Sequence, residues 1–458
     1  MLVDTHAHLD DKRFDRDRDE VIARAVDAGV AFILSPGTTL ASSRRAVELA
    51  EKYDIVFAAV GVHPHDAEGM TAKDVDELRR LAGHAKVVAV GETGLDYYRD
   101  LSPREAQQDA FRMQLELAAE LDLPVIVHSR DAEGDVERML AEASASGKLR
   151  GVLHCFSGSA EWALRAVGMG FHIGFAGPLT RENATNLEKV ASAVPVERAL
   201  VETDSPYLVP RPHKRSERNE PAYVRLVAEK LASLRQLSTA DVARVTGLSV
   251  ARLFGIPSAD DSAKIAYVIR NSLYLNITNR CSNRCSFCIR QTSAYVKGHR
   301  LWLEREPTVE EIESAIGDVR RYDEVVFCGY GEPTERLEAL KEVARRVKAQ
   351  GKPVRLVTNG EGDLINRRAI AGELAGLVDR LSVSVNTADP EQFVSLCGSE
   401  FGREAHGAIL RFIESAKGAI PEIEITAVSA PGVQMKAVEE LARKMGVGFR
   451  ARQYNEVG

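Results

Sequence analysis

Short runs of β-branched and apolar residues recur through the first half of the chain, at residues 1–5, 31–35, 55–61, 87–91, 124–128, 151–154, 171–175 and 199–203. Between them, over 17–28, 40–53, 75–81, 103–121 and 135–143, apolar residues return close to every 3.6 positions. The first pattern is that of buried strands and the second that of amphipathic helices. Eight strand–helix units in about 255 residues predict a (β/α)8 TIM barrel.

The pattern resumes after a break. Residues 272–278 alternate as a strand, and further strands are predicted at 324–328, 354–358, 380–385, 422–428 and 448–453, with an amphipathic helix over 308–321. Six βα-type repeats of this kind predict a smaller, partial (β/α)6 barrel. The run Pro257-Ser258-Ala259-Asp260-Asp261-Ser262-Ala263-Lys264 is linker-like. The expected organisation is therefore α/β, with domains at 1–256 and 270–458 and a linker at 257–269.

Composition narrows the function classes. The 458 residues are 45% hydrophobic and 28% charged, and no apolar run approaches the roughly eighteen residues of a membrane span. An N-terminus without a basic segment or apolar core predicts cytoplasmic residence, where reducing conditions favour metal over disulfide for grouped cysteines. A net charge of −7 gives no global attraction to polyphosphate. A nucleic acid would have to be held locally, by metal ions or by a patch such as Lys214, Arg215 and Arg218. Nine of the eleven histidines precede residue 257 and five of the six cysteines follow it, so hard-ion chemistry is expected first and soft-ligand chemistry second.

In the predicted first barrel the ionisable residues fall at the carboxyl ends of strands, where such barrels carry their sites. His6 and His8 follow the first strand, Glu92 the fourth, His128 the fifth, His154 the sixth and Asp204 the eighth. Nitrogen and oxygen donors without thiolate suit Zn, Mn or Mg, and a bridging carboxylate such as Glu92 would hold two divalent ions about 4 Å apart. Such a pair lowers the pKa of water from 15.7 toward about 7, which points to hydrolysis. Cys155, between two inward positions, reads as core.

The motifs Asp4-Thr5-His6-Ala7-His8, Gly61-Val62-His63-Pro64-His65, Gly91-Glu92-Thr93-Gly94-Leu95-Asp96-Tyr97, His128-Ser129-Arg130, His154-Cys155-Phe156-Ser157-Gly158 and Glu202-Thr203-Asp204-Ser205-Pro206-Tyr207 together resemble the TatD family of metal-dependent deoxyribonucleases, over residues 1 to 256. The resemblance implies an amidohydrolase-like barrel with His6, His8, Glu92, His128, His154 and Asp204 as metal ligands. It implies Glu92 and Asp204 as catalytic groups, and His63 as a group that contacts phosphate or assists proton transfer. The implied substrate is DNA or another phosphodiester, cut in an exonuclease-like manner. Arg218-Asn219-Glu220-Pro221 resembles the family's tail motif. For Asp96, Tyr97 and Tyr98 the residues leave aromatic packing and base stacking both open.

In the second half, Cys281, Cys285 and Cys288 form a C-x3-C-x2-C triplet straight after a predicted strand. Three thiolates can bind three irons of a [4Fe–4S] cluster and leave one iron open, whereas structural zinc wants four protein ligands, and the nearest candidates are His299, Cys328 and Cys397. Cys328 and Cys397 read as core or surface thiols. With Phe287 before the third cysteine and Gly329-Tyr330-Gly331-Glu332-Pro333 one helix later, the pattern resembles the radical S-adenosylmethionine (SAM) superfamily. That implies a [4Fe–4S] cluster on the three cysteines, SAM on the open iron, and an electron donor for cluster reduction. It also implies SAM contacts from Phe287, Gly329, Gly331, Glu332, Asn359, Ser384 and Asn386, and a 5′-deoxyadenosyl radical that attacks an unnamed substrate.

The expectation is a bifunctional enzyme. Its rival is a hydrolase of another ester or amide, with a C-terminal iron–sulfur module that senses or delivers without radical turnover.

Overall fold

A computed structural model describes residues 2–144, 147, 149–256 and 262–454. The chain forms two compact units, Met1–Ala259 and Asp260–Gly458. In the first, eight strands run parallel in sequence order: β1 (Leu2–Asp4), β2 (Val30–Pro36), β3 (Val56–Val60), β4 (Val87–Asp96), β5 (Val125–Arg130), β6 (Gly151–Leu153), β7 (Phe171–Phe175) and β8 (Ala199–Val201). A parallel bridge between Ala7 and Ser205 links the segments beyond β1 and β8. Asp4 fastens the same seam, accepting from the Thr203 N–H at 2.9 Å and the Thr203 hydroxyl at 2.6 Å. Both faces of these strands are covered, so they are near-continuously buried rather than alternating.

β4 runs five residues beyond the predicted 87–91 and so carries Glu92 and Asp96 on one continuous element. Gly94 permits this, because a Cβ there would stand 2.0 Å from the His128 carbonyl oxygen, and its φ of +136° suits glycine alone. The closing helix of the unit, Thr239–Phe254, starts with a Ser238–Asp241 capping box and ends at Gly255 in the left-handed region.

The second unit is built on a seven-stranded sheet. Its strands are β9 (Ala266–Ile269), β10 (Ser272–Leu275), β13 (Glu324–Phe327), β14 (Val354–Thr358), β15 (Arg380–Ser384), β16 (Glu422–Val428) and β17 (Gly448–Arg452), with β11 (Tyr295–Val296) and β12 (His299–Arg300) as a separate two-stranded ladder. The order is β17-β16-β15-β14-β13-β10-β9, and every pair is parallel except β9–β10. One face is apolar, with Leu273, Phe327, Leu356, Val383 and Ile425 packed in a single core. Residues one step out of phase are polar and paired: Arg355 with Glu324 at 2.8 Å, and Arg450 with Glu424 at 2.7 Å.

Two expectations need correction. Of the linker placed at 257–269, residues 257–261 lie outside the described residues, and 266–269 form β9. The turn Arg270-Asn271, with Arg270 at φ +53°, folds β9 back on β10 so that Ile269 faces Ser272. The helix predicted over 308–321 stops at Ile316, because Gly317 takes φ +58°, and a separate 3-10 turn follows at Val319–Arg321.

Candidate functional site

Glu92 is the hub of the first unit. Its Oε2 lies 3.3 Å from His6 Nε2 and 3.7 Å from His8 Nε2. Its Oε1 lies 2.9 Å from His128 Nδ1, 3.0 Å from His154 Nε2 and 3.4 Å from His63 Nε2. Asp204 Oδ1 joins the first group, 3.4 Å from His8 Nε2 and 3.8 Å from His6 Nε2. One buried carboxylate thus divides its two oxygens between two histidine sets. All six expected ligands and His63 come together at one end of the barrel.

Electrostatics follow from that crowding. Burial works against a charge on Glu92, yet His154, His63 and His6 around it hold the carboxyl well below the usual carboxylate range. Burial pushes His63 down to about 4, so its ring is neutral at pH 7. Nδ1 of His63 accepts from the His65 N–H at 3.1 Å, which leaves the ring proton on Nε2, facing the site. His6 Nε2 and His8 Nε2 stand only 3.3 Å apart with carboxylate oxygens beside both. Two imidazole nitrogens and two carboxylates converging in this way are the donor set of a divalent cation, and hard or borderline ions fit it.

Two further carboxylates serve the site. Asp96 Oδ2 meets His128 Nε2 at 3.1 Å and His65 Nε2 at 2.9 Å, while Asp96 Oδ1 accepts from the N–H groups of Tyr98 and Arg99 at 3.1 and 2.7 Å. Glu202 stands 3.6 Å from His154 Nδ1 and takes hydrogen bonds from the Thr5 hydroxyl, at 3.1 Å, and from the Cys155 N–H. Such partners fix the ring orientation of a ligating histidine. Both had a signal in the sequence: Asp96 is four residues from Glu92 on one strand and shares its face, and Glu202 precedes Asp204 by two.

Cys155 departs from the core assignment. It is half-buried at φ +45°, so strand alternation stops before it, and the Asp204, Glu202 and Glu92 charges lie close enough to add to the upward push that burial gives its thiol. The basic patch is also altered: Arg218 is committed to Asp17 through two hydrogen bonds of 2.7 and 2.6 Å. In the tail motif, Asn219 donates to the Thr203 and Tyr207 carbonyls and Glu220 holds Arg24, so the motif ties down the loop beyond Asp204.

In the second unit Cys281, Cys285 and Cys288 are free, half-buried thiols on the loop after β10. The turn after β13 lies against that loop: the N–H groups of Tyr330, Gly331 and Glu332 donate to Asn276 Oδ1, the Thr278 carbonyl and the Arg280 carbonyl at 2.8, 2.9 and 2.7 Å. A Cβ on Gly331 would sit 2.2 Å from the Arg280 oxygen, so this glycine is demanded by the loop itself. The Glu332 carboxylate is buried and already takes four donors, from Thr334 N, Thr334 Oγ1, Thr358 Oγ1 and Asn359 N, at 2.7 to 3.0 Å. Its place is that of an internal clamp. Asn359 donates to the Ser282 hydroxyl at 2.8 Å, Ser384 pairs with Thr426 at 3.3 Å, and Asn386 stands beyond β15 at φ +62°. Phe287 is half-buried between two of the cysteines.

A fourth thiol sits beside the loop. Cys397, fully buried at the end of the helix Pro390–Cys397, accepts from Asn386 Nδ2 at 3.8 Å. Arg284 N–H donates to the Cys397 carbonyl and Ser286 N–H to that of Leu396, both at 2.9 Å, which seats Cys285 against this helix end. The neighbouring Cys397 thiol, and then burial, push the Cys285 thiol up. Three thiols on one loop against a polar turn are a donor set that suits iron–sulfur chemistry.

Comparison with known proteins divides the chain at the same place. Residues 3–255 match the family described as TatD related DNase, and residues 275–445 match the radical SAM superfamily. An uncharacterised metal-dependent hydrolase, YabD of Bacillus subtilis, is 44% identical over 256 residues, which are 56% of this chain and 100% of that protein. The 3′-5′ ssDNA/RNA exonuclease TatD of Escherichia coli K12 is 40% identical over 261 residues, 56% of this chain and 99% of its own. Among solved structures, the TatD homologue YjjV of Escherichia coli K12 superposes with a TM-score of 0.53 at 34% identity, covering 56% of this chain and 98% of that one. Among the described residues no helix is long and apolar enough to cross a membrane.

Proposed function

The chain belongs to the TatD related DNase family through residues 3–255 and continues into a radical SAM domain at 275–445, and from that premise we propose a bifunctional enzyme whose first unit removes nucleotides from single-stranded nucleic acid. The observation that carries the reading is the division of Glu92 between two histidine sets. His6, His8 and Asp204 on one side, and His128 and His154 on the other, would hold two divalent ions with Glu92 shared. When bound, the ions acidify water and neutralise phosphoryl oxygens.

The chain's own groups do the rest. His63 presents a neutral Nε2–H at the site, 3.4 Å from Glu92 Oε1, and donates a hydrogen bond from it to a phosphate oxygen of the substrate. Asp96 and Glu202 orient His128 and His154 from behind. The test is release of mononucleotides from a 3′-end of single-stranded DNA or RNA, dependent on Mg, Mn or Zn and absent in Glu92→Ala. Release unaffected by that substitution would reject the assignment.

For the second unit the proposal is a radical SAM activity, with Cys281, Cys285 and Cys288 as the cluster ligands and the 329–332 turn and Asn359 as part of the SAM site. The cluster with bound SAM supplies one-electron chemistry once reduced by an external donor. The loop's attachment to the 329–332 turn supports it, since cluster and SAM would then share one wall. Cleavage of SAM to 5′-deoxyadenosine by reduced, cluster-loaded protein, lost in Cys285→Ala, tests it; cluster without such cleavage would favour the sensing module.

A further inference from the structure

Tyr98 and Tyr207 are large side chains left in solvent, 59% and 47% exposed. Each is paired with an arginine: the Arg130 guanidinium lies 4.0 Å from the Tyr98 ring centre and that of Arg13 lies 4.2 Å from the Tyr207 ring centre. The pairs occupy opposite rims of the mouth. Tyr98 follows β4 and Arg130 ends β5, whereas Arg13 and Tyr207 come after β1 and β8, four strands away around the barrel. Both pairs are tied to the donor set between them. Asp96 accepts from the Tyr98 N–H at 3.1 Å and meets His128 with its other oxygen, and the Tyr207 ring approaches His8 edge-on at 5.9 Å. In the strand register Asp96 faces Arg130, and the Tyr97 N–H donates to the Arg130 carbonyl at 2.9 Å, so the first platform is built on backbone.

We infer that the two tyrosine–arginine pairs are nucleobase-stacking subsites on either side of the donor set, for a single-stranded nucleic acid that crosses the mouth. The inference rests on the nuclease reading and specifies its substrate contacts. Every base offers a π-face, so stacking on tyrosine or on a guanidinium plane is tolerant of sequence, and it needs unpaired bases whose faces are free. A chain of net charge −7 must also supply phosphate contacts locally. The rims differ in this respect. Asp11 binds Arg13 through hydrogen bonds of 3.0 and 2.7 Å and so cancels its charge, whereas among the described residues no hydrogen bond or ion pair engages the Arg130 guanidinium. The phosphate contact therefore belongs to the Tyr98 side.

The test uses the full chain in EDTA, so that nothing is turned over, and measures binding of a labelled ten-residue thymidine strand and of an abasic deoxyribose-phosphate strand of the same length. Wild type is expected to prefer the strand with bases. Tyr98→Ala and Tyr207→Ala should each weaken binding of that strand by about 5- to 150-fold and reduce the preference, while Tyr98→Phe and Tyr207→Phe retain it. Arg130→Gln should lower the salt dependence of binding by about 0.7 in logarithmic slope. Equal binding of both strands by wild type, or an undiminished preference in the alanine variants, overturns the stacking subsites, and an unchanged salt slope in Arg130→Gln overturns the phosphate contact. Failure of the hydrolytic reading would look different: no metal-dependent nucleotide release, with the base preference intact.

Discussion

In the first unit the donors come from five strand ends spread over about two hundred residues, and each histidine already has a partner in the chain. In the second, three donors come from eight consecutive residues of one loop, all half-buried thiols. The first arrangement is set by the barrel, which gathers two carboxylates among histidines in one buried mouth. The second is local and gains its definition from what binds it, which makes its protein surroundings, Glu332 and Cys397 above all, the part worth reading.

The largest expected contrast is in metal content. Glu92→Ala should lose divalent ions and at least roughly a thousandfold of hydrolytic rate, about 4 kcal/mol in the barrier, while iron stays bound. Cys285→Ala should lose iron and keep the divalent ions; metal analysis of both variants, purified without oxygen, checks the pair. Co-loss of both kinds of metal in either variant would break the comparison.

Smaller changes sharpen it. Glu332→Ala strips the acceptor from four buried donors and should destabilise the second unit by about 3 kcal/mol in denaturant titration, leaving the transition of the first in place. Asp96→Asn should cost about 10- to 100-fold in divalent metal affinity or hydrolysis, because the orientation of His128 and His65 loosens without loss of any of the six expected ligands.

The smallest effect is one of pH. His172 on β7 is held down to about 4 by burial and by Arg198, so the folded first unit resists a proton that the unfolded chain takes up at its ordinary 6.5. Its contribution is complete above pH 6.5 and is lost as pH falls toward 4, by about 2 kcal/mol at pH 5. His172→Gln should flatten the acid limb of the first unit's stability and leave the second unchanged.

Much of this was legible in the chain. Eight apolar runs marked the strands of the barrel, and His6, His8, Glu92, His128, His154 and Asp204 could be placed at their ends because strand ends share one mouth. What could not be read depended on geometry finer than periodicity. Cys397 reads as a core or surface thiol and is core, but the 111 residues between it and Cys285 say nothing of a helix end folding back on that loop. Cys155 reads as core only if strand alternation runs through it, and its positive φ ends that alternation and leaves the side chain half-buried. β9 was hidden by its brevity beside a linker-like run. The sequence offers Glu332 as a ligand contact and gives no sign of the four donors, three of them on Oε1, that also make it an internal clamp.

The clasp between Asp4 and Thr203 sets the order in which the molecule can become active. Its partners are 199 residues apart, and closing a loop of that length costs about 5 kcal/mol of chain entropy before any contact across it is rewarded. During synthesis His6 and His8 are made about two hundred residues before the Asp204 they face, and a long-range closure of this kind is slow. The cysteine loop needs no such wait within its own eight residues. A chain interrupted soon after residue 200 would hold most of a hydrolase and none of its activity.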